Sequence, residues 1–319
     1  MTPSPRFTSW LALYFESFVA LRRACGAVYV SQKRKLLAFD RYVARQAAQP
    51  PLVSETLVGY LVTLQHLSPR ARDNVVTVVW GGVSHAQRHG AEVEALPMRP
   101  PRSPTQWRER PPHIFSTADV ASILAAARRS PPVRSLRPVT IATLLGLLAT
   151  TGMRIGEALA LDVGDLDRQG RMLTIRKGKF GKTRVLPLCE STTRALSCYL
   201  DHPLRLLSTD TSAPLFVLGH RRLSYSTARV AFRSACLTAG LDEPLPRIHD
   251  LRHTSAINRL AAWYEQGQDV DARLPALSTY LGHISVEKTR RYLVTNGILL
   301  EQAALLFGRQ TNALDEVLP

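Results

Sequence analysis

The sequence has 319 residues, of which 45% are hydrophobic, and its 41 basic and 25 acidic side chains give a formal net charge of +16. This length predicts two domains, and the hydrophobic fraction excludes a disordered chain. No hydrophobic run reaches the ~18–20 residues that a membrane-spanning helix needs, and the N-terminus is too polar for a signal peptide. We therefore expect a cytoplasmic protein rather than a secreted or membrane protein.

The cysteines and the charge further narrow the class of protein. None of the four cysteines forms a CxxC pair or a zinc-like spacing with histidine, so we expect reduced thiols. The positive excess is shared by both halves of the chain, and only six of the 41 basic residues are lysine. Arginine binds phosphate through two parallel hydrogen bonds. The charge therefore predicts a polyanionic partner, with nucleic acid as the first candidate.

The first hundred residues are predicted to form four helices. Apolar residues at three- and four-residue spacing predict a first helix that ends near Gly26. Ser31 is the predicted N-cap of a second helix, Ser54 begins a third, and Ser68 followed by Pro69 is typical of the start of a fourth. We interpret the apolar stripe of the first helix as packed core, with a base-stacking surface as the alternative. The stripe comprises Phe7, Trp10, Leu11, Tyr14, Phe15, Phe18 and Leu21.

The second predicted helix carries a basic cluster that is suited to following a DNA backbone, because each cation can neutralise one phosphate. The cluster comprises Lys33, Arg34, Lys35, Arg41 and Arg45. Taken alone, it is equally consistent with a solvated helix face. Both interpretations stay open at this point.

A linker and a second, mainly helical part follow. Residues 98–112 are rich in proline and arginine, which excludes a helix or a central strand and predicts a stiff, basic linker. Ser116 is a predicted helix start. The exception to the helical pattern is 171–188, where two β-type runs flank a turn rich in glycine and lysine. This pattern predicts a hairpin.

Two passages of the second part hold unusual charged residues. TGMRIGEALAL, residues 151–161, is typical of a packed helix with Arg154 in its middle and Glu157 one turn later. A structural ion pair is the first interpretation of that arginine. The hairpin turn holds half of the lysines in the chain, and lysine can give up a proton in a way that arginine cannot. These lysines are Lys177, Lys179 and Lys182.

A third passage, IHDLRHTSA, places three cationic or basic side chains on one helix face. His249, Arg252 and His253 lie at positions i, i+3 and i+4. Two histidines at this spacing could bind zinc, but Arg252 on the same face opposes a cation, and no nearby glutamate supplies a protease base. We expect no metal here.

Together with YLGHISVEKTRRYL, residues 280–293, these passages resemble the tyrosine recombinase family, also called phage integrases. The motifs occur in the family's order across residues 114–293. They are T-G-x-R-x-x-E, a lysine eight residues before the proline of R-x-x-P-L, H-x-L-R-H, L-G-H, and a tyrosine nine residues after the last histidine. The resemblance implies that the catalytic residues are Arg154, Lys179, His249, Arg252, His283 and Tyr292.

The family resemblance implies the following chemistry at a DNA phosphate. Tyr292 attacks the phosphorus and ends as a 3′-phosphotyrosine. Arg154 and Arg252 bind the two non-bridging oxygens and stabilise the charge that grows in the transition state. His283 donates a further hydrogen bond there. Neither a nucleotide nor a metal cofactor is expected.

The acid–base and supporting roles fall to other residues. His249 is the expected proton acceptor for the tyrosine, and Lys179 is the expected proton donor to the departing 5′-oxygen. Glu157 is expected to position neighbouring catalytic groups. His253 is expected to support its helix, with direct phosphate contact as the alternative, and Tyr280 to belong to the core. The other two lysines of the turn are expected to contact DNA phosphates.

The expected fold is mainly α-helical with a small β-sheet or hairpin. Residues 1–97 would form a helical, SAM-like core-binding domain, and residues 113–319 a mixed α/β catalytic domain with a C-terminal tail. The resemblance implies double-stranded DNA with a specific recombination site as the partner, and a homo-tetramer on two such sites. It leaves open whether accessory DNA-bending proteins or a partner recombinase take part, and whether apolar residues 298–307 dock on a neighbour or on their own chain.

We therefore expect a site-specific recombinase. The KFGKTR form of the hairpin resembles that of recombinases of mobile elements, which implies integration or transposition. Two alternatives remain. A type IB topoisomerase-like enzyme would relax supercoils through the same nucleophile, but the separate N-terminal part and the short chain disfavour it. A catalytically silent DNA-binding regulator would not need the complete set of catalytic residues.

Overall fold

A computed structural model describes residues 6–46, 48–94, 111–176, 183–205, 210–283 and 285–294. The chain divides into two compact units, Met1–Arg110 and Pro111–Pro319. Within the described ranges, every helix is too short or too polar to cross a membrane. Most of the predicted linker and the predicted C-terminal tail lie outside these ranges.

The described residues of the first unit contain four helices, and two of the three predicted helix starts, at Ser54 and at Ser68, are in place. Ser68 caps the fourth helix by accepting a hydrogen bond from the Ala71 N–H at 3.4 Å. The predicted cap at Ser31 is wrong, because the second helix already begins at Val30, after Tyr29 in the left-handed conformation at φ 50°. The helices are α1 (Ala12–Ala24), α2 (Val30–Arg45), α3 (Ser54–Thr63) and α4 (Pro69–Arg88).

The apolar stripe of α1 is packed core, as predicted. Phe7, Phe15 and Phe18 are buried with residues of α2, α3 and α4, although Leu21 at the end of the stripe is 50% exposed. On α2 the cluster of cations lies partly in solvent. Arg34, Arg41 and Arg45 are exposed, whereas Lys33 and Lys35 are half-buried.

The second unit contains eight further helices within its described residues. Its first helix begins where the sequence predicts, with a capping box in which Ser116 and Asp119 each accept a hydrogen bond from the other's backbone N–H. The helices are α5 (Thr117–Arg128), α6 (Leu136–Thr151), α7 (Ile155–Ala160), α8 (Glu190–Leu200), α9 (Tyr225–Thr238), α10 (Asp250–Glu265), α11 (Val270–Leu281) and α12 (Glu287–Val294).

The predicted hairpin is confirmed and belongs to a three-stranded antiparallel sheet. Strand β2 (Met172–Ile175) pairs with β3 (Arg184–Pro187), so that Leu173 lies opposite the equally buried Leu186. A third strand, β1 (Leu166–Asp167), which the sequence did not predict, pairs with the other edge of β2 after a 3₁₀ turn. Two short strands, β4 (Val217–Leu218) and β5 (Arg221–Arg222), form a second hairpin.

Two apolar clusters hold the second unit together. The larger one surrounds the central helix α6, whose Ile141, Leu144 and Leu148 are almost fully buried. The smaller one lies between α10, α11 and α12. The C-terminal ends of α6 and α11 and the N-terminal end of α10 lie next to the start of α7, as the hydrogen bonds below show. The mainly helical fold with small sheets, predicted from the sequence, is confirmed.

Candidate active site

Arg154 lies in the turn between α6 and α7, not in mid-helix as the sequence predicted. Gly152 ends α6 in the left-handed conformation at φ 61°, and a Cβ there would lie 2.9 Å from the Ser255 hydroxyl. Arg154 is the N-cap of α7 and has an extended backbone conformation. Its guanidinium donates to Glu157 Oε1 at 3.0 Å and to the Gly282 carbonyl at 2.8 Å. The arginine is therefore held at both of its terminal nitrogens.

Arg252 is the second guanidinium of the site and is only 2% exposed. It donates to the carbonyls of Gly152 and Leu281, both at 2.8 Å. These carbonyls lie at the C-terminal ends of α6 and α11, where backbone oxygens lack helical partners and carry the negative end of the helix dipole. Burial, and then the charge of Arg154, lower the pKa of Arg252 to about 10. It still carries its charge at neutral pH.

Glu157 connects the first arginine to strand β3. Arg184 donates to both of its carboxylate oxygens, at 3.1 and 2.7 Å, and also to the Tyr280 carbonyl at 3.0 Å. Burial alone would raise the pKa of Glu157, but the hydrogen bonds and charges of Arg184 and Arg154 bring this pKa below its usual value. Glu157 is therefore ionised and holds two arginines.

Sequence reasoning missed this role of Arg184, which entered only as a letter of the R-x-x-P-L motif. The available signal was an arginine within a short apolar strand, RVLP. Its partner Glu157 is 27 residues away along the chain. No local pattern identifies such a pair, because the contact depends on how the sheet packs against α7 and α11.

Three histidines and one tyrosine form a continuous group of rings. His249 precedes α10, and its ring lies 5.0 Å from that of His253, centroid to centroid. The His253 ring lies 5.4 Å from the Tyr292 ring, which is 6.2 Å from the nearly parallel ring of His283. His253 thus contacts the predicted nucleophile, a contact that goes beyond the helix-supporting role expected of it.

Tyr292 lies on α12 and is 7% exposed. Burial raises the pKa of its phenol, while the charge of Arg252 and a hydrogen bond with that guanidinium act in the opposite direction. The net effect is a pKa above the usual value of 10. The phenol is therefore protonated at neutral pH and needs a proton acceptor before it can attack.

The two predicted histidines are neutral in this site. Burial, followed by the charges of His253 and Arg252, lowers the pKa of His249 to about 4. Burial, followed by the charges of Arg252 and Arg154, lowers the pKa of His283 to about 3. Nδ1 of His283 lies 2.8 Å from the Thr289 hydroxyl. An anionic ligand would relieve this concentration of positive charge.

Five of the six residues predicted to be catalytic thus come together from three separated passages of the second unit, 151–161, 248–256 and 280–293. The sixth, Lys179, lies outside the described residues, as do its neighbours Lys177 and Lys182. Tyr280 is partly buried against both apolar clusters, in keeping with the expected core position. Within the part of the chain that the structure describes, no group of three or more histidine, cysteine or acidic residues could hold a metal ion.

Comparison with known proteins identifies relatives of this chain. The phage integrase family model matches residues 114–296. The chain is 34% identical to y4rE of Sinorhizobium fredii, which is named as an integrase/recombinase, over 93% of this chain and 96% of that protein. It is also 37% identical to tyrosine recombinase XerC of Corynebacterium glutamicum, over 50% of this chain and 48% of that protein.

Solved structures share the fold at lower identity. The XerH recombinase bound to palindromic difH DNA is 20% identical, with a TM-score of 0.63 over 92% of this chain and 84% of that chain. The Tn1549 transposon integrase in complex with transposon right-end DNA is 16% identical, also with a TM-score of 0.63, over 93% of this chain and 99% of that chain. The chain belongs to the phage integrase family, the tyrosine recombinases.

Proposed function

We propose that this recombinase cuts and rejoins DNA strands with Tyr292 as its nucleophile, through a 3′-phosphotyrosyl intermediate. The observation that carries the proposal is the position of the Tyr292 side chain. It is buried between the rings of His253 and His283, and the charge of the Arg252 guanidinium acts on its phenol. The attacking oxygen and a phosphate-binding cation therefore already lie together.

Arg154 and Arg252 would bind the phosphate. Each guanidinium is fixed by the carbonyls at the helix ends, so little orientation is lost when the transition state forms. The side chain of Arg154 is 26% exposed, which leaves it accessible to a phosphate that arrives from solvent. His283 would donate a third hydrogen bond. Together these donors stabilise the negative charge that grows as phosphorus becomes five-coordinate.

Two proton transfers complete the cleavage step. The phenol proton passes to neutral His249 while the bond from phosphorus to the tyrosine oxygen forms. The bond from phosphorus to the 5′-oxygen breaks, and Lys179 gives that oxygen a proton. The reverse sequence, with a 5′-hydroxyl of another strand as the nucleophile, rejoins DNA without an external energy source. The bond from phosphorus to the tyrosine oxygen conserves the energy of the phosphodiester bond that was broken.

The proposal extends to the partner and the assembly. A specific double-stranded DNA site, four protomers on two such sites, and a role in integrating or transposing a mobile element fit the net charge of +16 and the exposed Arg34, Arg41 and Arg45 of α2. Residues 1–97 would then form the core-binding domain and residues 113–319 the catalytic domain. The protein would act at DNA in the cytoplasm of a bacterial cell, with or without accessory DNA-bending or partner recombinase proteins.

Capture of covalent adducts tests the nucleophile and finds the site together. The full chain is incubated with fragmented chromosomal DNA of its host, and protein–DNA complexes that survive denaturant are sequenced. Wild type is expected to yield one recurrent sequence, joined through its 3′-phosphate. Tyr292→Phe should bind that DNA and yield no adduct, whereas Tyr280→Phe should still form it. An adduct that persists in Tyr292→Phe and is lost in Tyr280→Phe would contradict the proposal.

A further inference from the structure

Thr289 connects α12, the helix of the proposed nucleophile, to His283, a proposed hydrogen-bond donor to the phosphate. Its side chain is completely buried, and its hydroxyl oxygen lies 2.8 Å from Nδ1 of His283. Thr289 precedes Tyr292 by three residues on α12, so the two side chains lie on the same face of this helix. One hydrogen bond therefore joins the loop after α11 to the helix that carries the tyrosine.

The direction of this hydrogen bond determines what the other ring nitrogen of His283 can do. A neutral imidazole carries one proton, on Nδ1 or on Nε2. If Nδ1 donates to Thr289, Nε2 is a bare acceptor and repels a phosphate oxygen. If the hydroxyl donates to Nδ1, the ring proton lies on Nε2 and can bond to that oxygen. A threonine hydroxyl can rotate to serve as the donor, whereas a methyl group cannot.

The surroundings of His283 require the ring to be neutral. The charges that act on it are those of Arg252, Arg154, Lys288 and Arg184, which are all cations and come from α10, the start of α7, α12 and β3. A doubly protonated ring, which would donate from both nitrogens, is disfavoured among them. The choice between the two neutral forms therefore depends on the partner of Nδ1.

We propose that Thr289 is a positioning residue whose hydroxyl donates to Nδ1 of His283 and so keeps the ring proton on Nε2, directed at the scissile phosphate. The inference rests on the proposed role of His283. The same hydrogen bond couples the docking of α12 to that role, since α12 must be in place for Thr289 to reach the ring. The histidine would thus become a donor when the tyrosine is ready to attack.

Single-turnover adduct formation on the captured DNA site tests the role. Thr289→Val keeps the shape and removes the hydroxyl, and it should slow the step by about 10- to 100-fold, by analogy with the loss of the hydrogen-bond partner that orients a metal-binding histidine. Thr289→Ser should restore most of the rate. Thr279→Val is the control, because Thr279 is exposed on α11 and its hydroxyl donates to the Pro275 carbonyl of the same helix.

A double-mutant cycle separates this role from simple packing of α12. In a His283→Ala background, Thr289→Val should cause no further loss of rate. A second, undiminished loss in that background would show that Thr289 acts through α12 and would overturn the inference. If His283→Ala is as fast as wild type, the proposed role of His283 fails. If His283→Ala is slow and Thr289→Val is fast, only the role of Thr289 fails.

Nitrogen chemical shifts of the histidine ring give an independent measurement. The Tyr292→Phe protein, labelled with ¹⁵N-histidine and bound to its DNA site, holds an intact phosphate against the ring. The Nε2-protonated form of His283 is expected in this complex. When Thr289→Val is introduced into the same protein, a mixture of the two neutral forms is expected. A predominantly Nδ1-protonated ring before that change would overturn the inference.

Discussion

Arg184 of strand β3 and Glu157 of helix α7 form a buried, two-pronged ion pair, with side chains only 12% and 8% exposed. The same carboxylate holds Arg154, and the Arg184 Nε also donates to the Tyr280 carbonyl at 3.0 Å. The hairpin that carries the proposed proton donor is therefore connected to the proposed phosphate-binding site. We infer that this ion pair keeps the two aligned.

Removing Arg184 should destabilise the fold and impair cleavage. Arg184→Ala leaves the buried carboxylate of Glu157 with one of its two cationic partners, and loss of a partner from a buried pair costs about 3–5 kcal/mol. Urea unfolding measures the loss. Arg168→Ala breaks an exposed pair with Asp201 and should change the free energy of unfolding by less than about 1 kcal/mol. Similar small effects of both substitutions would mean that Arg184 is not an anchor.

Glu157 should make stability depend on pH in the acid range. Its pKa in the folded protein is lower than its usual value of 4.5, so its contribution is complete above 4.5 and is lost as the pH falls through the folded value. His249 and His283 also have lowered pKa values, and their protonation destabilises the fold on acidification too. The difference between wild type and Glu157→Gln, measured by urea unfolding at several pH values, isolates Glu157. That difference should shrink on acidification, and a constant difference would contradict the assignment.

Sequence patterns were most reliable where the cause of a structure is local. Ser68 with Pro69, and Ser116 with Asp119, fix helix starts through hydrogen bonds within three residues, and both starts are confirmed. Ser31 has the same chemistry but failed as a cap, because the chain already turns into the helix at Tyr29. A capping residue thus indicates that a helix can begin nearby, while the conformation of the preceding backbone determines the residue at which it begins.

The site could be predicted only as a set of residues. The motifs identified Arg154, Arg252 and Tyr292 as site residues. The apolar residues on both sides of Arg154 predicted one continuous helix, so Arg154 was expected in its middle. Gly152 ends α6 there, since it takes the left-handed conformation next to Ser255. The contacts of Arg184 and Thr289 join elements that are distant in sequence or depend on how α12 packs. No periodicity reports such contacts.

Adduct formation should depend on the protonation of His249 rather than that of His253. A bound phosphate raises the pKa of His249 from about 4 toward its usual 6.5. A base must be neutral to accept the phenol proton, so the single-turnover rate should fall as the pH drops through that range. His249→Ala should be slow and lose this acid limb, whereas His253→Ala should keep it. Because His253 contacts the Tyr292 ring, the reverse pattern would assign the proton acceptor to His253.

Cleavage should survive removal of divalent metal ions. Arg154 and Arg252 supply the positive charge that the transition state requires, so EDTA should leave the single-turnover rate on linear DNA unchanged, in the absence of any nucleotide. Arg154→Ala is the matched comparison, because its cation is missing whether or not EDTA is present. A rate that collapses with EDTA and recovers with added Mg²⁺, at unchanged DNA binding, would contradict a mechanism based on the arginines alone.

Lys179 provides the sharpest test of the acid–base assignment, because two other lysines lie within three residues of it. If it protonates the 5′-oxygen, Lys179→Ala should cleave normal DNA slowly. Replacing that oxygen by sulfur creates a leaving group that needs no proton. Cleavage of the sulfur substrate by Lys179→Ala should therefore approach the wild-type rate. Arg154→Ala should stay impaired on both substrates, since its phosphate contact is missing in each case.

The neighbouring lysines serve as matched controls for this rescue. Lys177→Ala and Lys182→Ala each remove one cation from the same turn without removing the proposed acid, so they should bind DNA more weakly. Their affinity should also depend less steeply on salt, because one phosphate contact fewer releases about one counterion fewer. Replacing the 5′-oxygen by sulfur should not raise the cleavage rate of these two variants relative to wild type. Rescue in Lys182→Ala together with none in Lys179→Ala would transfer the proton-donating role to Lys182, since only the variant that lacks the acid gains from a leaving group that needs no proton.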